Sequence, residues 1–245
     1  MASPRLELQT LSGPIDVDLQ GAVNYGDVRQ RAAQKLGCGE HQVLMSTESG
    51  RKLQNESAFQ DGEVVLIHVL PADRTFTNRL GNAEAKLHGD GSVATRGAAS
   101  NGGDCSSVQS QLIGVRDINS TQYAFAALKE DGSVVAWGDA DFGGDCSSVQ
   151  GQLAGGVQGI RGITSAFAGL REDGVVITWG SQPGTFGASA IDTSQVQGQL
   201  AGGVLAIHAT DRAFAALKEE GIVVAWGLRD QHEAACRKAR KSNIG

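Results

Sequence analysis

The chain of 245 residues lacks several features from which function is commonly inferred. Its four cysteines form no C-x-x-C pair, so neither a zinc ribbon nor a disulfide framework is indicated, and we interpret them as reduced thiols. No stretch approaches the roughly 18 apolar residues of a membrane span, and the N-terminus lacks the basic and apolar regions of a secretory signal. We therefore expect a soluble protein of the cytoplasm, the nucleus or both.

Motifs that mark common catalytic sites are also absent. There is no P-loop, no G-x-S-x-G elbow, no H-E-x-x-H and no strand-linked G-x-G-x-x-G. His208 lies in an apolar segment and is interpreted as a satisfied or edge histidine. Asp139, Asp141 and Asp145 share one loop that could suit a hard cation, but the ligand spacing is incomplete and favours solvated turn carboxylates. We expect no enzymatic activity, no cofactor and no metal.

Positive charge is scarce in most of the chain, whose net charge is −6. Residues 1–72 hold 6 basic and 9 acidic residues, residues 73–227 hold 10 and 16, and residues 228–245 hold 5 and 2. Because nucleic-acid binding needs clustered Lys and Arg, this balance argues against a nucleic-acid partner. The basic tail 228–245 fits either a nuclear-import or anionic-surface element or a helix end with favourable cations.

Glycine is what the chain has in excess, at 34 residues or about 14%, twice the usual share of about 7%. Internal repeats account for much of it. Three copies of one unit are AFAALKEDGSVVAWG (124–138), AFAGLREDGVVITWG (166–180) and AFAALKEEGIVVAWG (213–227). A degenerate copy, AEAKLHGDGSVATRG (83–97), has Glu84 in the Phe position and Arg96 in the Trp position.

Each copy predicts a β-hairpin with glycine in its turn. A third strand is predicted in the preceding segment, which gives repeats over 114–138, 158–180 and 203–227. The strands are apolar on both faces, so both faces of each small sheet must be covered by stacked or radially arranged neighbours.

The succession of an apolar strand, a D-G turn, an apolar strand and W-G resembles the repeats of the regulator of chromosome condensation family. The 41-residue spacing is similar to the compact three-stranded blades of its bacterial β-lactamase-inhibitor relatives. The resemblance implies an all-β domain over 73–227 with about four propeller-blade-like repeats. Propellers of this kind close with about seven blades. We therefore expect a partial or open β-propeller capped by flanking segments, or a homodimer that closes the ring.

Residues 5–70 have a different pattern, with a strand–turn–strand signal around Ser12 and Gly13, a helix that ends at Gly37, and two further strands. This order predicts an α+β domain over 1–72, joined to the repeats by a linker over 71–82. The segments LELQTLSG, DVRQRAAQKLG and VVLIHVL resemble the first hairpin, helix and closing strand of the ubiquitin-like β-grasp family.

The ubiquitin-like resemblance implies an apolar recognition patch at Leu11, Leu44 and Leu70, with His68 beside it. The alternative is that Leu44 and Leu70 are core residues. The conjugating diglycine is absent because Leu70 is followed by PADRTFTN, so attachment to other proteins is not expected.

Together the two resemblances imply a non-enzymatic adaptor in ubiquitin-related signalling. Its N-terminal domain would bind ubiquitin-receptor or proteasome-type proteins, and its repeats, with the long loop 180–195, would select a target. Two alternatives stay open. One is a structural or degenerate repeat protein without a dedicated site, and the other is a regulator of a small GTPase by guanine-nucleotide exchange.

Overall fold

The structure, a computed structural model, divides the chain into two compact units. Met1–Ala72 is called here the N-terminal unit, and Asp73–Gly245 the repeat unit. The residues that the structure describes are 7–10, 13–17, 24–48, 51–53, 64–180, 193–228 and 231–241.

The described residues of the N-terminal unit form a four-stranded sheet and one α-helix. In chain order its elements are β1 (Glu7–Thr10), β2 (Gly13–Ile15), α1 (Tyr25–Leu36), β3 (Val43–Thr47) and β4 (Val64–Val69). The sheet order is β2-β1-β4-β3, with β1 and β4 parallel and the other pairs antiparallel. The predicted succession of two strands, a helix and two strands is confirmed, while membership of the ubiquitin-like family stays a prediction.

Local signals define both ends of α1. The Asn24 side chain accepts a hydrogen bond from the Asp27 backbone N–H at 3.0 Å, which satisfies one of the free donors of the first turn. Gly37 ends the helix at φ 69°, a left-handed conformation that glycine adopts without a Cβ penalty. Val28 and Ala33 are buried on the face that packs against the sheet, with Ile67 among their neighbours.

In the part of the repeat unit that the structure describes there are four antiparallel three-stranded sheets. The first sheet comprises β5 (Arg74–Thr77), β6 (Ala83–Leu87) and β7 (Val93–Gly97), and the second β8 (Val115–Ser120), β9 (Ala124–Lys129) and β10 (Val134–Gly138). The third comprises β11 (Val157–Gly162), β12 (Ala166–Arg171) and β13 (Val176–Gly180). The fourth comprises β14 (Val204–Ala209), β15 (Ala213–Lys218) and β16 (Val223–Gly227). Short helix α2 (Gln197–Leu200) precedes β14, and α3 (His232–Lys241) follows β16.

This arrangement confirms the three predicted strands per repeat, with β8, β11 and β14 in the predicted third positions. The linker prediction over 71–82 is wrong at Arg74–Thr77, which forms β5 and gives the degenerate repeat its own third strand. The strand is short and only Phe76 is partly buried in it, so its apolar signal is weak.

The repeated turns need their glycines for conformation and space. Gly132 has φ 76°, and a Cβ there would lie 2.7 Å from the Gly156 backbone nitrogen. The preceding Asp131 accepts hydrogen bonds from the Ser133 backbone N–H at 2.9 Å and hydroxyl at 2.6 Å. The predicted D-G turn with positive φ is thereby confirmed.

Successive sheets pack through two different faces. Phe125 and Trp137 of the second sheet stack at 5.5 Å between ring centroids and share a core with Ala83 and Ala85 of the first. The same pairing recurs with Phe167 and Trp179, and with Phe214 and Trp226. Small alanine side chains let the aromatic face of each sheet approach its predecessor closely.

The first sheet departs from this rule on its outer face. Arg96 Nε donates to Glu84 Oε2 at 2.7 Å, so an ion pair stands where the other sheets have a stacked aromatic pair. The Arg96 side chain is 80% exposed. Charged groups at this position keep the outermost face of the array hydrated, as terminal repeats require.

The last sheet is covered by α3. Ala235 and Ala239 of the helix are fully buried against Ala213 and Ala215 of β15. The part of the basic tail from His232 to Lys241 is a helix with Lys238, Arg240 and Lys241 in its last turn, and a nuclear-import or anionic-surface role stays a prediction. The array is thus capped by flanking elements, while ring closure by a second copy stays a prediction.

Candidate functional site

Two of the predicted patch residues, Leu44 and His68, lie on the face of the N-terminal sheet opposite its core. Leu44 and His68 are directly opposite each other on β3 and β4, and both are exposed, with Leu44 at 40%. Neighbouring Val43 and Ile67 point into the core. Leu44 is therefore not a core residue, and the alternative interpretation fails for it.

Of the other two predicted patch residues, Leu70 is among the residues that the structure describes. Leu70 is partly buried, and its backbone is held by Gln42: its N–H donates to the Gln42 carbonyl at 2.6 Å, and Gln42 Nε2 donates to its carbonyl at 3.0 Å. Leu11 lies outside the described residues. On the same face His68 Nε2 is 3.2 Å from the Ser46 hydroxyl, which orients the imidazole.

A second candidate surface is formed by the sheet edges of the repeat unit. Strands β5, β8, β11 and β14 each form one edge of their sheet and lie beside one another. Two arginines bridge consecutive edges. The Arg74 guanidinium donates to the Arg116 carbonyl, and Arg116 donates to the carbonyls of Val157 and Gln158 at 3.1 and 2.9 Å. Side chains thus cover edge carbonyls in the first two gaps.

The third gap, between β11 and β14, contains a cavity of about 260 Å³. Its lining is Gln158, Gly159, Arg161, Leu170, Leu205, Ala206, Ile207 and His208. Burial lowers the pKa of His208 from its ordinary value of 6.5, and the positive charges of Arg161 and Lys238 lower it further. The predicted edge position of His208 is confirmed, since β14 is an edge strand. The sequence did not predict the basic residues around His208. The repeats do align His208 with Asn119 and Arg161, which occupy the equivalent positions of β8 and β11.

A shallow cavity of about 340 Å³ lies on the outer face of the first sheet. Beside it, Lys86 Nζ is 2.9 Å from Asp73 Oδ2. That hydrogen bond, with contributions from the Gly89 backbone N–H and His88, lowers the pKa of Asp73 to about 2 against a smaller opposing effect of desolvation. The cluster ties the start of β5 to β6 electrostatically.

The acidic loop uses its carboxylates locally. Asp139 Oδ1 accepts from the Asp141 N–H at 2.9 Å, and Asp145 Oδ1 accepts from the Ser147 N–H at 2.8 Å. Within the part of the chain that the structure describes, no three His, Cys, Asp or Glu side chains are grouped to hold a metal ion.

All four cysteines are free thiols. Cys105 and Cys146 are buried at equivalent repeat positions and donate to the side chains of Gln109 and Gln150 at 3.0 and 3.3 Å. Burial raises the pKa of the Cys146 thiol, which disfavours the reactive thiolate.

Most of the long loop expected to select a target, 181–192, lies outside the described residues. None of the helices among the residues that the structure describes is long and apolar enough to cross a membrane.

Comparison with known proteins gives similarity to solved structures. The chain matches no protein-family model and no curated protein. It is similar to human WBSCR16 (18% identity, TM-score 0.38, 72% of this chain and 53% of that one). It is also similar to yeast RCC1 (Prp20) bound to Kap60 (15% identity, TM-score 0.43, 78% and 52%). The chain spans about half the length of these structures.

Proposed function

We propose that the protein acts without catalysis, as an adaptor that binds other proteins through both units. The observation that carries this proposal is the exposed Leu44–His68 pair on a sheet whose opposite face is the core. Exposed leucine leaves apolar surface in water, and a partner's apolar surface would remove it. The adjacent imidazole adds a directional hydrogen-bonding group, so the pair combines affinity with orientation.

The finer proposal is a role in ubiquitin-related signalling, with ubiquitin-receptor or proteasome-type proteins as partners of the N-terminal unit. Its support is the sequence resemblance together with the sheet order β2-β1-β4-β3 and the helix between β2 and β3. Leu70 is followed by Pro71 and not by a diglycine, so this unit would be recognised but not conjugated.

The structural alternative has an observation of its own. Both end faces of the sheet array are covered or charged, so the repeat unit needs no partner to protect an apolar end. A capped array of this kind could act as a rigid scaffold without a dedicated site. Guanine-nucleotide exchange on a small GTPase is kept as a further outcome to be tested.

The test measures binding of the full chain to a purified ubiquitin-receptor domain by calorimetry. Leu44→Ser is expected to weaken binding about tenfold or more, because burying a leucine contributes roughly 1.5–3 kcal/mol and about 1.4 kcal/mol is a factor of ten. Ile113→Ser is the matched control, since it removes an apolar side chain that is 66% exposed in the repeat unit. We expect this control to bind like the unsubstituted chain.

Two results would contradict the proposal in different ways. Equal binding by Leu44→Ser and the unsubstituted chain would show that this patch is not the docking surface. Absence of binding to any ubiquitin-receptor domain would reject the ubiquitin-related role. Capture of a nucleotide-free small GTPase by the full chain would favour exchange, and no capture of either class would favour the scaffold.

A further inference from the structure

The gap between β11 and β14 differs from the two preceding gaps in what fills it. In the second gap the Arg116 guanidinium donates to the edge carbonyls of Val157 and Gln158. In the third gap the corresponding residue of the donating strand is Gln158, whose side chain is shorter and uncharged. A cavity of about 260 Å³ lies there.

The described residues that line this cavity also include no Asp or Glu. Asp117 occupies the β8 position that pairs with Leu128, and it lies 3.4 Å from Arg74 across the first gap. Gly159 and Ala206 stand at the equivalent positions of β11 and β14. Among the described residues, the lining of the cavity therefore holds no carboxylate, in a chain whose net charge is −6.

One guanidinium and one imidazole line the cavity, and a lysine lies near it. Arg161 on β11 and His208 on β14 line it, and Lys238 of α3 is close enough to influence the charge on His208. Lys238 Nζ donates to the Ala209 carbonyl at 2.9 Å, and Arg161 donates to the carbonyl of the preceding residue at 2.9 Å. Among the residues that the structure describes, neither cation forms an ion pair.

The rest of the cavity is apolar and open to solvent. Leu205 is 58% exposed at its mouth, and Leu170 and Ile207 form the adjoining wall. The volume is below the roughly 300–1,000 Å³ of small-molecule sites, so it suits one side chain of a peptide and not an entire cofactor.

We propose that the groove between β11 and β14 binds an acidic peptide segment of a partner protein. A carboxylate of the peptide accepts hydrogen bonds from the Arg161 guanidinium, with His208 beside it, and a neighbouring apolar side chain packs on Leu205. Charge complementarity selects this occupant, because Arg161 has no ion-pair partner among the described residues and no described residue that lines the cavity is acidic. The inference rests on the proposed recognition role and names a site and ligand class for the repeat unit.

The test uses the full chain and a fluorescent peptide of four glutamates around one leucine, with polarisation as the readout. Saturable binding that weakens as salt rises is expected, because the contacts are partly exposed ion pairs. The glutamine version of the peptide and inorganic phosphate serve as competitors. We expect neither to displace the acidic peptide at equal concentration.

Three variants distinguish peptide binding in this groove from a general attraction of the acidic peptide to positive charge. Arg161→Gln is expected to weaken binding at least about tenfold, as loss of one charge-assisted hydrogen bond predicts. Gln158→Arg should also weaken peptide binding, because the new arginine would lie across the gap as Arg116 does in the preceding gap. This variant keeps every basic group that is already present. Arg237→Gln is the matched control, because it removes one charge from α3 at a residue paired with Glu233.

The inference is overturned if the peptide does not bind, or if Arg237→Gln weakens binding as much as Arg161→Gln. Displacement by phosphate as effective as by the acidic peptide would also overturn it, since the apolar part of the groove would then contribute nothing. Retained peptide binding by Leu44→Ser distinguishes this site from the patch on the N-terminal unit. Far-UV circular dichroism and thermal unfolding of each variant establish that loss of binding is not loss of fold.

Discussion

One repeat position carries different chemistry in different sheets of the repeat unit. Trp137 stacks on Phe125 and fills the interface with the preceding sheet, whereas Arg96 at the same position binds Glu84 on an outer face. The two pairs have equivalent cross-strand registers. The change from aromatic to charged residues therefore follows exposure and does not by itself indicate decay of the repeat.

Asp73 provides a residue-scale prediction about acid stability. Its pKa is lowered from 3.8 to about 2, chiefly by the hydrogen bond from Lys86. Because the folded-state pKa is below the unfolded-state value, the carboxylate contributes its full stabilisation above about pH 4 and loses it as the pH falls towards 2. We expect Asp73→Asn to lower the Tm by a few degrees at pH 7, and the difference to narrow below pH 4.

Thermal unfolding followed by circular dichroism at several pH values checks this expectation. Asp211→Asn is the control, since it removes a carboxylate that is 83% exposed and is expected to change the Tm less. A Tm difference for Asp73→Asn that is as large near pH 2 as at pH 7 would show that the charge of Asp73 does not stabilise the fold.

Some single residues could be predicted from the sequence and others could not. Gly37 and Gly132 were predictable because positive φ strongly favours glycine, and the structure places both there. The pairing of Glu84 with Arg96 was not, because a single sequence does not reveal which face of a repeat is outermost. The Arg161–His208 groove depends on two strands 47 residues apart, whose proximity follows only from packing of the sheets.

At the scale of elements, α3 acts as the cover of the fourth sheet. Ala235 and Ala239 contact the alanine face of β15, where another array of this kind would place the aromatic face of a further sheet. The contact is built from small side chains on both elements, so it depends on close approach and has little room for larger residues.

Substitution within α3 tests this cover. Ala235→Leu is expected to destabilise the repeat unit by about 1–3 kcal/mol, because extra methyl groups in a closely packed interface force displacement. Ala234→Leu makes the same change at the neighbouring exposed position and should alter stability by less than about 0.5 kcal/mol. Urea unfolding gives both free energies, and equal effects of the two variants would mean that α3 does not dock through Ala235.

Strands with continuous apolar patterns were the most predictable elements. Segments such as AFAALK and VVAWG are buried on both faces between neighbouring sheets, so their composition alone indicates their environment. β5 was missed because it is mostly exposed and short. The covering role of α3 was missed because the interpretation of this segment rested on its four basic residues, although Ala235 and Ala239, four residues apart, mark an apolar helix face.

At the scale of the whole repeat unit, the two ends determine whether the array is self-sufficient. The outer face of the first sheet is charged, and the alanine face of the last is covered by α3. Neither face, in the described residues, presents the apolar area that would drive a second copy to join. We therefore expect one chain per particle by light scattering, whereas a two-chain mass would favour ring closure by dimerisation.

Restoring the consensus aromatic pair in the first sheet should cause the protein to self-associate. Glu84→Phe combined with Arg96→Trp converts the charged outer face into the aromatic face that the other sheets bury against a neighbour. Because such a face is stable only when covered, we expect the double variant to self-associate in a concentration-dependent manner, with a mass of two or more chains.

The control for this variant separates gain of apolar surface from loss of the ion pair. Glu84→Gln combined with Arg96→Gln removes the same two charges without adding aromatic area, and should stay at one chain per particle. If both double variants associate equally, loss of the hydrated ion pair, and not the added aromatic area, causes the association. If neither associates, the outer face of the first sheet is protected by something other than its charged residues, and the capping role assigned to Glu84 and Arg96 is wrong.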